Sequence, residues 1–234
     1  MPIVAGIDGC PTGWLCLTRD QATGAIEARI LAHIRELLEL RPRPAVVLID
    51  VPIGLPEAGP RRCDQEARFR LTTARARSVF PAPIRPMLAA ASYVQACQIG
   101  ATIDGRKLSR QTWNIVPKIR EVDVFLRGDC QRPNWLREVH PEVSFWAWNG
   151  QQPMTHSKKS AAGRSERAAL VERQYGAAYS ATQTSLPRRC YHPDDLLDAF
   201  AALWTAERVV AGTALVLPSQ PPHDAEGLPM QIVA

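Results

Sequence analysis

Four aspartates stand where buried sequence should exclude charge. The stretch "PIVAGIDGCPTGW" carries Asp8 at the end of an apolar run, "AVVLIDVPIGLP" carries Asp50 at the end of another, and "HPDDLLDAFAALWTA" carries Asp195 and Asp198 three residues apart. Carboxylates suit Mg²⁺ and Mn²⁺, hard ions that take oxygen ligands. Phosphoester hydrolysis by two such ions roughly 4 Å apart needs a bridging carboxylate with further carboxylates on either side. Asp195 and Asp198 would share one helix face. Structural roles compete. Asp8 precedes "GCPTG" and suits a hairpin turn, and Asp50 precedes Val-Pro and suits a loop cap. Asp194 and Asp195 fall in a helical first turn, where carboxylates meet the helix dipole favourably. Asp198 lies beyond that turn, among Leu196, Leu197, Ala199 and Phe200, and has no such role.

A second set of groups surrounds "REVHPEVSFWAW" (137 to 148), which reads as a strand. Glu138, His140 and Glu142 share one facing parity there, so any of the three could add a ligand or position a water; the alternative is an exposed strand face. The loop "SKKSAAGRSER" offers Lys158, Lys159, Gly163 and Arg164 ahead of a helix, either a phosphate contact or a solvated charge run.

The elements that must position these groups follow from hydrophobic period and breakers. Residues 3 to 8 and 14 to 18 read as strands of a hairpin turning at Gly9 to Gly13, and "GAIEARIL" (24 to 31) suits a third strand. Residues 32 to 41 read as a helix that Pro42 and Pro44 stop, and "AVVLIDV" (45 to 51) is a fourth strand, continuously apolar as a sheet covered on both faces requires. Residues 57 to 135 form an Arg-rich, mainly helical insertion, and "HPDDLLDAFAALWTAERVVAG" is the strongest helix, with Pro193 in its first turn and Gly212 at its end. The whole is one α/β domain over residues 1 to 234. Its expected architecture is a mixed five-stranded sheet in the order 3-2-1-4-5, with the first three strands antiparallel and helices on both faces.

At 234 residues and 46% hydrophobic, such a chain can bury a real core. No run approaches the roughly 18 apolar residues that span a bilayer, and Asp8 interrupts the only candidate signal segment, so a soluble, cytoplasmic protein with no membrane partner is expected. The cysteines at 10, 16, 63, 97, 130 and 190 contain no C-x-x-C pair, which argues for reduced thiols over a zinc site or disulfide framework. The charge is uneven. Residues 61 to 137 hold 15 Lys and Arg against six Asp and Glu, an excess of +9, within a chain of net charge +5. Of the 28 basic residues 24 are arginines, whose planar fork suits phosphate.

The motifs "GIDGCPTGW", "IDVPIGLP", "RRCDQEARFR", "SVFPAP", "PKIREVD", "EVHPEVSF", "KKSAAGR" and "DLLDAFAALWTA", in this order over nearly the whole chain, resemble the family catalogued as domain of unknown function 429, described as predicted ribonuclease H-like nucleases. A more distant similarity to RuvC-type Holliday junction resolvases implies roles for the acids. Those enzymes carry an Asp on the first strand, an acid at the end of the fourth and an acid-x-x-Asp-Ala pattern on the last helix, places that Asp8, Asp50, Asp195 and Asp198 occupy here. The resemblance implies a ribonuclease H-like fold and a nuclease using Mg²⁺ or Mn²⁺, with nucleic acid, DNA or RNA, as partner. In that expectation Asp8 bridges two ions, Asp50 and Asp198 hold one each, and Asp195 or Glu142 completes the shell. Two other readings are open: a non-catalytic nucleic-acid or protein-binding module of the same fold, and an ATP-dependent phosphotransferase, which would need two copies of the fold. The oligomeric state is open, a homodimer being one option.

Overall fold

The computed structural model describes residues 1–129 and 132–234; Cys130, and residues 130 and 131 of the expected insertion, lie outside the described residues. Its strands are β1 (Ile3–Cys10), β2 (Gly13–Asp20), β3 (Ile26–Leu31), β4 (Val46–Ile49), β5 (Leu136–Glu138), β6 (Val216–Leu217) and β7 (Ile232–Val233). Its helices are α1 (Arg62–Arg75), α2 (Tyr93–Asp104), α3 (Arg110–Arg127), α4 (Arg132–Trp135), α5 (Pro141–Trp148), α6 (Ala161–Tyr175), α7 (Ala177–Ser185) and α8 (Pro193–Val210). The main sheet runs β3-β2-β1-β4-β5. β1 to β3 form an antiparallel meander, and β4 and β5 lie parallel to β1, the strand order and directions of a ribonuclease H-like α/β fold.

Alternation along β1 divides the core in two. Val4 and Cys10 face a cluster built with Phe145 of α5, Leu170 and Val171 of α6, Tyr179 of α7 and the apolar side of α8. Ala5 and Ile7 face another, closed by Ile34, Leu37 and, from α3, Ile119, Val122 and Phe125. Helices therefore cover both faces, which is why β4 is apolar at every position. α3, although it lies between β4 and β5 in sequence, is part of the layer on the main sheet.

Two expected elements differ, and one segment adds strands. The helix expected over 32 to 41 is a 3₁₀ helix over Ile34–Glu39; Ile34 and Leu37, three apart, eclipse in that geometry and bury together before the prolines end it. The strand expected over 137 to 148 stops at Glu138, and α5 begins at Pro141. Proline is favoured in a first helical turn, and α5 is buried on nearly all sides, which imitates the apolar run of a strand. Residues 213 to 234, without an expected element, add the small β6–β7 ribbon, and Val233 bridges in parallel to Val139 beyond β5.

Candidate functional site

Register fixes the first two acids. Ile7 pairs with Ile49 across the parallel β1–β4 ladder, and the Asp50 amide donates to the Ile7 carbonyl at 3.0 Å, so Asp8 and Asp50 are neighbours at adjoining strand ends. Period-2 alternation puts both on the face of Val4, Val46 and Leu48, the face that α8 covers. Gly6 lets α8 settle there: a Cβ on Gly6 would lie 2.1 Å from the Leu203 amide nitrogen and 2.5 Å from the Ala199 carbonyl. One residue pair along β1 and one helical turn back along α8, that contact delivers Asp198 to Asp8.

The charges are poorly balanced. Asp8 is 7% exposed and Asp198 4%. Asp8 accepts a hydrogen bond from the Gly9 amide at 2.7 Å, and Lys158 Nζ donates to Asp198 Oδ2 at 2.7 Å. Burial, then the neighbouring charges of Asp50, Asp198 and Asp195, holds the Asp8 carboxyl well above the usual carboxylate range. Burial, then Asp198, pushes Asp50 up to about 8. The Lys158 ammonium is pushed up in turn, chiefly by Asp198. It is the cation that bears on Asp8, Asp50 and Asp198 alike.

Asp195 stands at the margin. Its Oδ2 accepts from the His192 amide at 2.8 Å, closing a capping box at the start of α8. Burial raises its pKa, and it still contributes to the field at Asp8.

Glu142 requires correction. It lies in the first turn of α5 rather than on a strand, and its oxygens accept from Arg167 Nη2 at 2.6 and 2.7 Å, with Arg75 Nε 3.7 Å from Oε1. Its charge is neutralised by arginine, although the residue borders the same cleft as Asp8 and Asp50. Glu138, which shares its strand parity with Leu136, belongs to the opposite sheet face from Asp8 and Asp50. There it accepts from Arg61 at 2.6 and 2.7 Å and from the Ile53 amide at 2.6 Å. Burial pushes it up to about 7 despite Arg61, whose guanidinium also binds Asp64. His140 is the residue before α5; burial and then Lys158 push its pKa down to about 4, so its imidazole is neutral at pH 7.

Of these groups, Asp8, Asp50, Glu138, His140, Glu142 and Lys158 border one cleft of about 820 Å³. Lys118 enters from α3: its stem crosses Gly9, its ammonium lies 4.2 Å from the Trp14 ring centroid and donates to the Gly13 carbonyl at 2.5 Å. Lys118, and Arg61 and Asp64 as partners of Glu138, were not singled out by sequence. The only local signal for the latter is an Arg and an Asp three apart in "RRCDQE".

A divalent metal can be tested against this donor set. Every candidate ligand is a hard carboxylate oxygen, and the like charges of Asp8, Asp50 and Asp198 call for more positive charge than one lysine provides. The chemistry fits. In the arrangement held here Lys158 stands among these acids, and among the described residues no three His, Cys, Asp or Glu side chains are grouped closely enough to hold an ion. The residues that would hold a metal are these carboxylates, and in this arrangement Lys158 occupies Asp198 Oδ2.

Among curated proteins no sequence match was found. A solved structure of RuvC from Thermus thermophilus is similar at 18% identity over 90% of this chain and 97% of that one, with a TM-score of 0.37. Residues 6–223 match the family described as "Protein of unknown function (DUF429)". With Asp8, Asp50 and the acid pair on α8 all lying inside those residues, the chain belongs to that family.

Proposed function

We propose that this protein is a Mg²⁺- or Mn²⁺-dependent phosphodiesterase acting on nucleic acid, with Asp8, Asp50 and Asp198 as the metal ligands. The observation that carries the reading is the convergence of these three buried or half-buried carboxylates from two strand ends and one helix, with Lys158 as their shared counter-charge. A metal held by these carboxylates would supply Lewis-acid stabilisation of developing negative charge and lower the pKa of water. The chain's own residues do the rest. Asp8, at the centre of the cluster, faces both other acids; Asp195 supports the start of α8 and adds negative potential at the margin. Glu142, held by Arg167, is left out of the ligand set and acts as a buried tether between α5 and α6. Lys158 is within the cleft to meet a substrate phosphate. The five described cysteines are free thiols and no helix among the described residues is long and apolar enough to cross a membrane, which supports a cytoplasmic setting.

One observation favours the binding-module alternative: Lys158 already neutralises part of the cluster. Calorimetric titration with Mn²⁺ separates the two. Wild-type protein should bind the ion and cleave at least one of single-stranded, duplex, hybrid and branched substrates, whereas Asp8→Asn should do neither. Cleavage that persists in chelator or in Asp8→Asn would refute the hydrolytic mechanism, and nucleic-acid binding without Mn²⁺ uptake would establish the binding module.

A further inference from the structure

The cleft's rim holds groups that the acid cluster does not use. Residues 73 to 80, which leave α1 at its kink, contribute Arg77 and Phe80, and the segment ahead of α6 contributes Lys159. Arg77 and Lys159 are exposed, and among the described residues the side chain of neither makes an ion pair or hydrogen bond. Their neighbours are committed: Arg61 to Asp64 and Glu138, Arg75 to the carbonyls of Met154 and Thr155, and Lys158 to Asp198. Phe80 is half-buried and lines the same cleft.

We infer that this cleft takes a single-stranded stretch of nucleic acid. One backbone phosphate lies over Asp8 and Asp50, neighbouring phosphates meet Arg77 and Lys159, and a base stacks on Phe80. The inference rests on the phosphodiesterase reading for the role of the two aspartates. Depth is the first argument. Asp8 lies on the cleft wall and is only 7% exposed, and about 820 Å³ falls within the roughly 300–1,000 Å³ typical of sites that enclose a small ligand. A duplex is stiff over about 50 nm and carries its phosphates on a broad rod, so lowering one of them into the recess costs bending energy. A flexible single strand avoids that cost. Composition is the second argument: free cations that follow a backbone, together with an aromatic face that accepts any base, are what sequence-tolerant single-strand binding uses.

The test is fluorescence anisotropy in chelator, where metal-dependent cleavage cannot run, with labelled single-stranded DNA, single-stranded RNA, duplex DNA and mononucleotides. Single strands should bind about tenfold or more tightly than duplex of the same sequence, and Phe80→Ala should weaken them about tenfold while Phe80→Trp restores binding. Replacing Arg77 and Lys159 together by glutamine should lower the slope of log affinity against log salt by about 1.4, for two lost single-strand phosphate contacts. The DNA and RNA arms identify the sugar. Duplex binding as tight as single-strand binding, mononucleotides competing equally with strands, or indifference to both Phe80→Ala and the glutamine pair would overturn the inference. Tight single-strand binding by a protein that never cleaves would overturn the hydrolytic reading and support this one.

Discussion

Replacing Asp50 by asparagine should make the metal-free protein more stable at neutral pH. In the folded chain the Asp50 carboxyl is pushed up to about 8 by burial and by Asp198, whereas in the unfolded chain it titrates near the ordinary value of about 3.9. Between those values the folded state holds a proton that the unfolded state has released. Stability is therefore highest below about pH 4 and is lost as pH rises toward 8, at up to about 1.4 kcal/mol per pH unit for one proton. From pH 5.5 to 7.5 that amounts to at most about 2.7 kcal/mol. For a chain of 234 residues, at about 2–4 °C per kcal/mol, it corresponds to a fall in Tm of roughly 5–11 °C. Asp8 and Glu138, also raised, add slopes of the same sign, and His140, lowered to about 4, opposes them below about pH 6.5. The difference between wild type and Asp50→Asn isolates the Asp50 share. Urea denaturation of both proteins in chelator at pH 5.5, 6.5 and 7.5 should give a shallower loss in the variant, which ends as the more stable at pH 7.5. Excess Mn²⁺ should restore stability to wild type alone, by about 2.7 kcal/mol at a hundred times the Kd. Parallel pH profiles for the two proteins would refute the claim that Asp50 is crowded by like charge.

Asp8→Asn should leave the fold intact and nucleic-acid binding unchanged or stronger, because a negative charge beside the phosphate is removed, while gel assays show no metal-dependent cleavage. Lys158→Met removes the ammonium from Asp198, so Mn²⁺ affinity measured by calorimetry should rise while metal-free stability at pH 8 falls. Arg167→Met strands the Glu142 carboxylate in the core, which should cost about 3–5 kcal/mol in urea denaturation yet leave Mn²⁺ affinity unchanged in the folded protein.

What could be read from the sequence was what repeats locally. Alternation along "IVAGID" and "VVLID" fixes the facing of Asp8 and Asp50 once the two strands are adjacent, and the apolar surroundings of Asp198 distinguish it from the acids of the helix start. Contacts between distant residues were not legible. Arg61 meets Glu138 across 77 residues and Arg167 meets Glu142 across 25, and nothing in either local pattern records the partner. Lys158 looked like a solvated charge because its loop is polar, yet that loop folds back onto the strand ends. The segment 141 to 148 misled for a different reason: when every side of a short helix is buried, its sequence loses the period that separates helix from strand.

The absence of a side chain at Gly6 has a wider consequence. Because α8 rests on the β1 backbone itself, the gap between helix and sheet at that point is set by main-chain atoms, which no substitution elsewhere in the core resizes. Drift among the surrounding leucines, alanines and aromatics can then alter how firmly the domain holds together without altering how far Asp198 stands from Asp8. The contact works as a gauge block, separating the tolerance of the reactive centre from that of the hydrophobic interior.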